Sequence, residues 1–129
     1  MFFIAALLYA LLAVVSLGNA APAPVNSGDG TFFTPGLGAC GYNNNESEHV
    51  AAVSHQFFDS FGGGSSNPND APICGKMATL HYGGKTTTVQ IVDRCAGCSG
   101  PSDVDMAPAA FNDLADPSVG RIQITWTIN

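Results

Sequence analysis

The chain has 129 residues, 46% of them hydrophobic, with 15 glycines and a formal net charge of −6. That length supports one hydrophobic core and not two, so a single small domain is expected. The basic residues Lys76, Lys85, Arg94 and Arg121 are scattered, with no stripe to neutralise a row of phosphates; this excludes nucleic acid as a natural partner and suits a neutral or cationic ligand.

Phe2 to Leu17 is an almost unbroken apolar run followed by the small residues Gly18, Asn19 and Ala20. This pattern reads as a secretory signal peptide over residues 1–20, with the mature, extracellular chain starting near Ala21 and no membrane attachment after cleavage. No Lys or Arg precedes the run, and its length nears the lower limit of a membrane span, so a retained anchor is the rival reading. The small-residue cut and the APAPV that follows favour cleavage. Residues 21–29 then read as a disordered lead-in, and residues 30–129 as the folded domain.

Thr31 to Thr34 has strand composition and is closed by Pro35-Gly36. LGACGYNNNESE is loop, rich in residues that tolerate left-handed backbone. His49 to Ser54 is an apolar run too brief to assign as strand or helix, and HQFFDSF forms one helical turn. GGGSSNPND is breaker composition throughout. Met77 to Tyr82 and Lys85 to Asp93 are two strand-like runs joined by Gly83-Gly84, the pattern of a tight hairpin. Asp93 thus falls at a strand end, and Asp105 follows in the loop DVDMAP. Pro108 to Ala115 predicts a short amphipathic helix ended by Asp116-Pro117. From Arg121 to Asn129, Ile122, Ile124, Trp126 and Ile128 share one face, the pattern of a half-buried strand, which assigns Trp126 to the core rather than to a sugar platform. The total is five or six strands with one or two short helices.

Cys40, Cys74, Cys95 and Cys98 form an even set, which in a secreted chain favours disulfides. Three connectivities exist. The short CAGC loop favours Cys95 with Cys98, leaving Cys40 with Cys74 in matching contexts, ACGY and ICGK. A zinc site and a redox CxxC are weaker rivals, since a single CxxC has neither a second pair at matching spacing nor a βαβ context.

TFFTPGLGACGY, ICGK, VQIVDRC, DVDMAPAAF and GRIQITW occur in the order found in double-psi β-barrel proteins of the expansin and rare lipoprotein A type. The resemblance covers residues 30 to 128 and is greatest to the small fungal single-domain expansin-related proteins called loosenins. It implies a mostly β, barwin-like fold of six strands with one or two short helices, and a shallow groove. It also implies non-hydrolytic loosening of cell-wall polysaccharides such as cellulose or chitin. The family's groove residues fall on Thr31, Asp93 and Asp105. Where some bacterial relatives carry a tyrosine two residues after that first aspartate, this chain has Cys95.

A glycosidase needs two carboxylates flanking the bond, one protonated and one ionised. Related endoglucanases on this barrel carry an aspartate shortly after the first-strand threonine, and Phe32 to Gly41 contains no acid. Lytic rare lipoprotein A proteins pair a histidine with the aspartate, whereas His49, His55 and His81 lie away from DRC. The resemblance therefore implies no certain catalytic residue, and neither a cofactor nor a metal is expected. Asp105, its pKa raised by burial beside Asp93, is expected to donate a hydrogen bond to the glycan. The structural alternative is that Asp93 caps a turn and Asp105 caps the helix. Phe57, Phe58 and Tyr42 are candidate stacking aromatics. Barwin-like barrels also include secreted cysteine-protease inhibitors and defence proteins. On that alternative Gly62 to Asp70 is an inhibitory loop, against its plainer reading as a solvated connector. Oligomeric state has no signature in the sequence.

Overall fold

A computed structural model describes residues 22–129; the leader reading and its cut site lie outside them. The strands are β1 (Asn26–Phe32), β2 (Val50–Ser54), β3 (Met77–Tyr82), β4 (Lys85–Cys95), β5 (Val104–Met106) and β6 (Ile122–Ile128), with helices α1 (His55–Ser60) and α2 (Pro108–Leu114). The six strands close into a barrel in the order β1-β5-β2-β4-β3-β6. Closure removes the free sheet edges that a small β protein otherwise has to protect. The expected mostly β, six-stranded fold with two short helices is the one observed.

The hairpin follows the sequence closely. Gly83 and Gly84 both have positive φ, 54° and 81°, as a primed two-residue turn demands. β6 buries Ile122, Ile124 and Trp126 and exposes Gln123 and Thr125. Trp126 is fully buried, with its ring 4.7 Å from that of Phe57 and its Nε1–H donating to the Ser102 carbonyl at 2.9 Å. It is a core residue with its one polar atom satisfied.

Three expectations need correction. β1 starts at Asn26 and not at residue 30, so the segment 26–29 is not a disordered lead-in. Asn26 to Gly30 pairs with β6, and Gly30 to Phe32 pairs with β5. The glycines in NSGDG are demanded by packing: a Cβ on Gly28 would overlap the Ser102 carbonyl, and one on Gly30 would press on Met106 and Ile124. Second, Asp105 sits on strand β5 and not in a loop, because Val104 and Met106 insert into the core on either side of it. Third, of the unassigned run at residues 49–54, Val50–Ser54 forms strand β2, all of whose residues are buried, so no alternation marked it.

One irregularity governs which way the acids point. Thr87, Val89 and Ile91 face inward along β4, and strict period-two alternation would turn Asp93 into the core as well. The parallel pairing of β2 with β4 instead shifts register between Ala51, opposite Ile91, and Ala52, opposite Asp93. Val92 is the extra residue of a β-bulge, packed in a small cluster with Val50 and Ala107. A bulge resets side-chain parity, so Asp93 emerges on the outer face.

Candidate functional site

Thr31 lies opposite Asp105 across β1 and β5, Asp105 opposite Ala52 across β5 and β2, and Ala52 opposite Asp93 across β2 and β4. Four neighbouring strands therefore present one row, Thr31, Asp105, Ala52, Asp93. With strands ~4.8 Å apart, the Cα atoms of the two aspartates stand roughly 10 Å apart, with the small Ala52 between them. All four line an open groove of about 410 Å³, walled on one side by the Cys95–Cys98 loop and on another by Phe33.

Thr31 Oγ1 donates to Asp105 Oδ1 at 2.9 Å. Burial pushes the Asp105 pKa up, and the nearby Asp93 charge adds to this; the Thr31 hydrogen bond and the Arg121 charge oppose it without cancelling it. Asp105 therefore holds its proton more tightly than an exposed aspartate does. It does not cap α2, whose N-cap is Ala107 with no side-chain hydrogen bond.

The other acids along the groove are engaged elsewhere. Asp93 Oδ1 accepts from the Ala39 and Arg94 backbone N–H groups, each at 2.8 Å, so it pins the loop after β1 as well as facing the groove. The close passage of that loop requires Gly38, whose Cβ would run into the Val92 carbonyl. Asp103 is 8% exposed; its Oδ1 accepts from Asp29 N–H at 2.9 Å and its Oδ2 from Gly100 N–H at 2.8 Å. Asp29 pairs with Arg121 at 2.8 Å and accepts from Gln123.

The disulfides are Cys40–Cys74 and Cys95–Cys98, so no thiolate is left for the rival zinc or redox readings. Among the described residues, no group of three or more His, Cys, Asp or Glu side chains is placed to hold a metal ion. No helix of the described residues is long and apolar enough to cross a membrane.

The aromatic candidates separate. Phe58 is 2% exposed and Phe57 packs on Trp126 and Phe61, so both belong to the core. Tyr42 is exposed but does not line the groove. His49 pairs with Asp113 at 2.7 Å, and none of His49, His55 and His81 lines the groove. The sequence reading missed Phe33, Asp103 and Arg121 as groove residues. Parity was the available signal for two of them, since Phe33 is two residues from Thr31 and Asp103 two from Asp105.

No protein-family model matches the chain. It is 40% identical to the Allergen Asp f 7 homolog of Arthroderma benhamiae over 78% of its own length, and spans 38% of that protein. It is 32% identical to the papain inhibitor of Streptomyces mobaraensis, over 78% of this chain and 68% of the inhibitor. The solved Streptomyces papain inhibitor superposes with a TM-score of 0.73 at 30% identity, covering 83% of this chain and 96% of that one. A Clavibacter michiganensis expansin in complex with cellohexaose superposes with a TM-score of 0.66, over 82% of this chain and 50% of that one; at 22% identity the likeness is one of fold. The barrel, the order of its motifs and these likenesses place the chain in the expansin-like double-psi β-barrel family that includes the Streptomyces papain inhibitor.

Proposed function

We propose that the protein acts outside the cell, binding a cell-wall polysaccharide such as cellulose, chitin or a related glucan in the Thr31–Asp105–Asp93 groove and loosening it without hydrolysis. The observation that carries this reading is the row of polar groups on an open face, in which Asp105 combines a raised pKa with an uncommitted oxygen. Protonated, Asp105 donates from that oxygen to a sugar hydroxyl or glycosidic oxygen, while Thr31 fixes the other. Asp93, held by two backbone amides, orients the chain. Such contacts compete with hydrogen bonds between glycan chains.

Bond cleavage needs a second carboxylate free to act as base or nucleophile. Asp29 and Asp103 have both carboxylate oxygens engaged by neighbouring groups, which supports loosening over hydrolysis. Asp93, with one oxygen held by two backbone amides and the other without a partner among the described residues, is the one candidate base that reducing-sugar release has to test. Two disulfides suit an oxidising, extracellular compartment. Binding to a panel of insoluble glucans and chitin, measured beside reducing-sugar release, tests the proposal. Binding without release is expected; release of reducing sugar, or no binding, overturns it.

The likeness to the Streptomyces papain inhibitor favours a second reading, inhibition of a cysteine protease through an exposed loop. A papain assay separates the two: inhibition at near-stoichiometric protein with no glycan binding selects the second.

A further inference from the structure

The glycine-rich segment after α1 has no part in the groove described so far. It walls a second basin of about 400 Å³, lined by Asp59, Ser65, Ser66, Pro68 and Arg94. Arg94 lines both basins, so the two lie on either side of one side chain.

Arg94 is held flat. Its Nε donates to Asp59 Oδ1 at 2.9 Å and its terminal amine to Asp59 Oδ2 at 2.7 Å, a two-pronged pair that fixes the guanidinium plane. The pair neutralises itself, so the ridge offers hydrogen-bonding edges and a planar face without net charge. That chemistry suits a neutral, hydroxyl-rich ligand and not an anionic one.

The far wall is built and not merely a solvated connector. Gly64 has φ +67°, and a Cβ there would overlap the Asp59 carbonyl, so only glycine lets the segment fold back over the end of α1. Its amide donates to the Phe61 carbonyl at 3.0 Å. Beyond it, Ser65 Oγ accepts from Asn67 N–H at 3.2 Å, and Asn67 caps the next turn through Asn69 N–H at 3.1 Å. Cys40–Cys74 fastens the return. The Ser65 hydroxyl is thereby held in the basin wall, and Ser66 lines the same basin as the Asp59–Arg94 ridge.

We infer that this second basin is a further sugar-binding subsite, continuous with the groove across Arg94, so that the protein binds an extended stretch of a neutral glycan chain. This rests on the polysaccharide reading of the main groove. The test is isothermal titration of the full chain with β-1,4-glucan and chitin oligomers from disaccharide to octasaccharide. Two variants probe the basin from outside the main groove: Ser66→Leu fills it from an exposed position, and Gly64→Ala displaces its wall.

In the unaltered protein, affinity should keep rising with length beyond the tetrasaccharide. Both variants should lose about tenfold in octasaccharide affinity, the worth of one or two hydrogen bonds, and keep the tetrasaccharide affinity. Unchanged tetrasaccharide binding also shows that the variants fold. If tetrasaccharide binding depends on Asp105 while both basin variants bind the octasaccharide as the unaltered protein does, the subsite is overturned and the main groove stands. If no oligomer binds at all, the polysaccharide reading falls and the subsite with it. Papain inhibition abolished by Ser66→Leu, with every oligosaccharide affinity unchanged, assigns the basin to a protease contact and overturns the subsite.

Discussion

Asp105 is where function and stability pull apart: burial favours the protonated form that the proposed chemistry uses and makes the ionised form a cost to the fold. Burial disfavours its carboxylate, so its folded pKa lies above the ordinary 3.8. A raised folded pKa means that the native state binds the proton more tightly than the unfolded chain. The associated stability is fully present below 3.8 and is lost as pH rises through the folded value. At neutral pH the buried charge is therefore a net cost, and Asp105→Asn, which keeps an acceptor for Thr31, should melt at or above the unaltered protein. That advantage should vanish below 3.8. Function should move the other way. The carboxylic acid's hydrogen bond to a sugar oxygen is worth about 1–3 kcal/mol, so Asp105→Ala should weaken glycan binding roughly 5- to 150-fold. Binding by the unaltered protein should weaken as pH rises through the raised folded pKa of Asp105, because the donor proton is lost, and Asp105→Asn should flatten that profile. Oligosaccharide titrations and thermal melts across the same pH series measure both. A slope that survives in Asp105→Asn, or a loss of binding that only tracks a loss of Tm, refutes the reasoning.

Thr31→Val removes the hydroxyl that opposes burial at Asp105, so the Asp105 titration should move further up, read by carboxyl NMR, and the fall in binding should move to higher pH with it. Breaking Cys40–Cys74, which spans 34 residues, should cost about 4 kcal/mol by loop entropy, whereas breaking Cys95–Cys98, spanning 3, should cost about 2 kcal/mol, with glycan binding reduced because that loop walls the groove. Denaturant melts of the paired Cys→Ala variants check the order of the two. Trp126→Ala should cost about 3–5 kcal/mol as a cavity in the core, and Trp126 fluorescence should not respond to oligosaccharide; a ligand-dependent shift would return it to the binding face.

How much of this was legible in the sequence depended on whether each strand had one wet face. β6 alternates because Gln123 and Thr125 meet solvent, and Gly83-Gly84 announces the hairpin through its turn chemistry. β2 is covered on both faces, so its residues carry no period. β5 has three residues, too few for a period to emerge, and its pairing with β1 and β2 is a long-range property. The first part of β1, residues 26–29, looked disordered because the glycines of NSGDG are dictated by close contacts with Ser102, Met106 and Ile124, none of which is near in sequence. The identities of Thr31, Asp93 and Asp105 came from motif resemblance, but their alignment in one row depends on the Val92 bulge. Strand composition contains no trace of that bulge. The part that Asp59, Arg94 and the glycine-rich loop play in a second basin was equally hidden, because it arises from Gly64 folding back over a helix end.

The central claim is that a neutral glycan chain lies along the outer row of the barrel. Backbone amide chemical shifts followed by NMR during titration with cellohexaose and chitohexaose test it most directly. Shifts should concentrate at Thr31, Ala52, Asp93 and Asp105 and extend past Arg94 to Ser65 and Ser66. No shifts along that row, or shifts confined to surfaces remote from it, would contradict it.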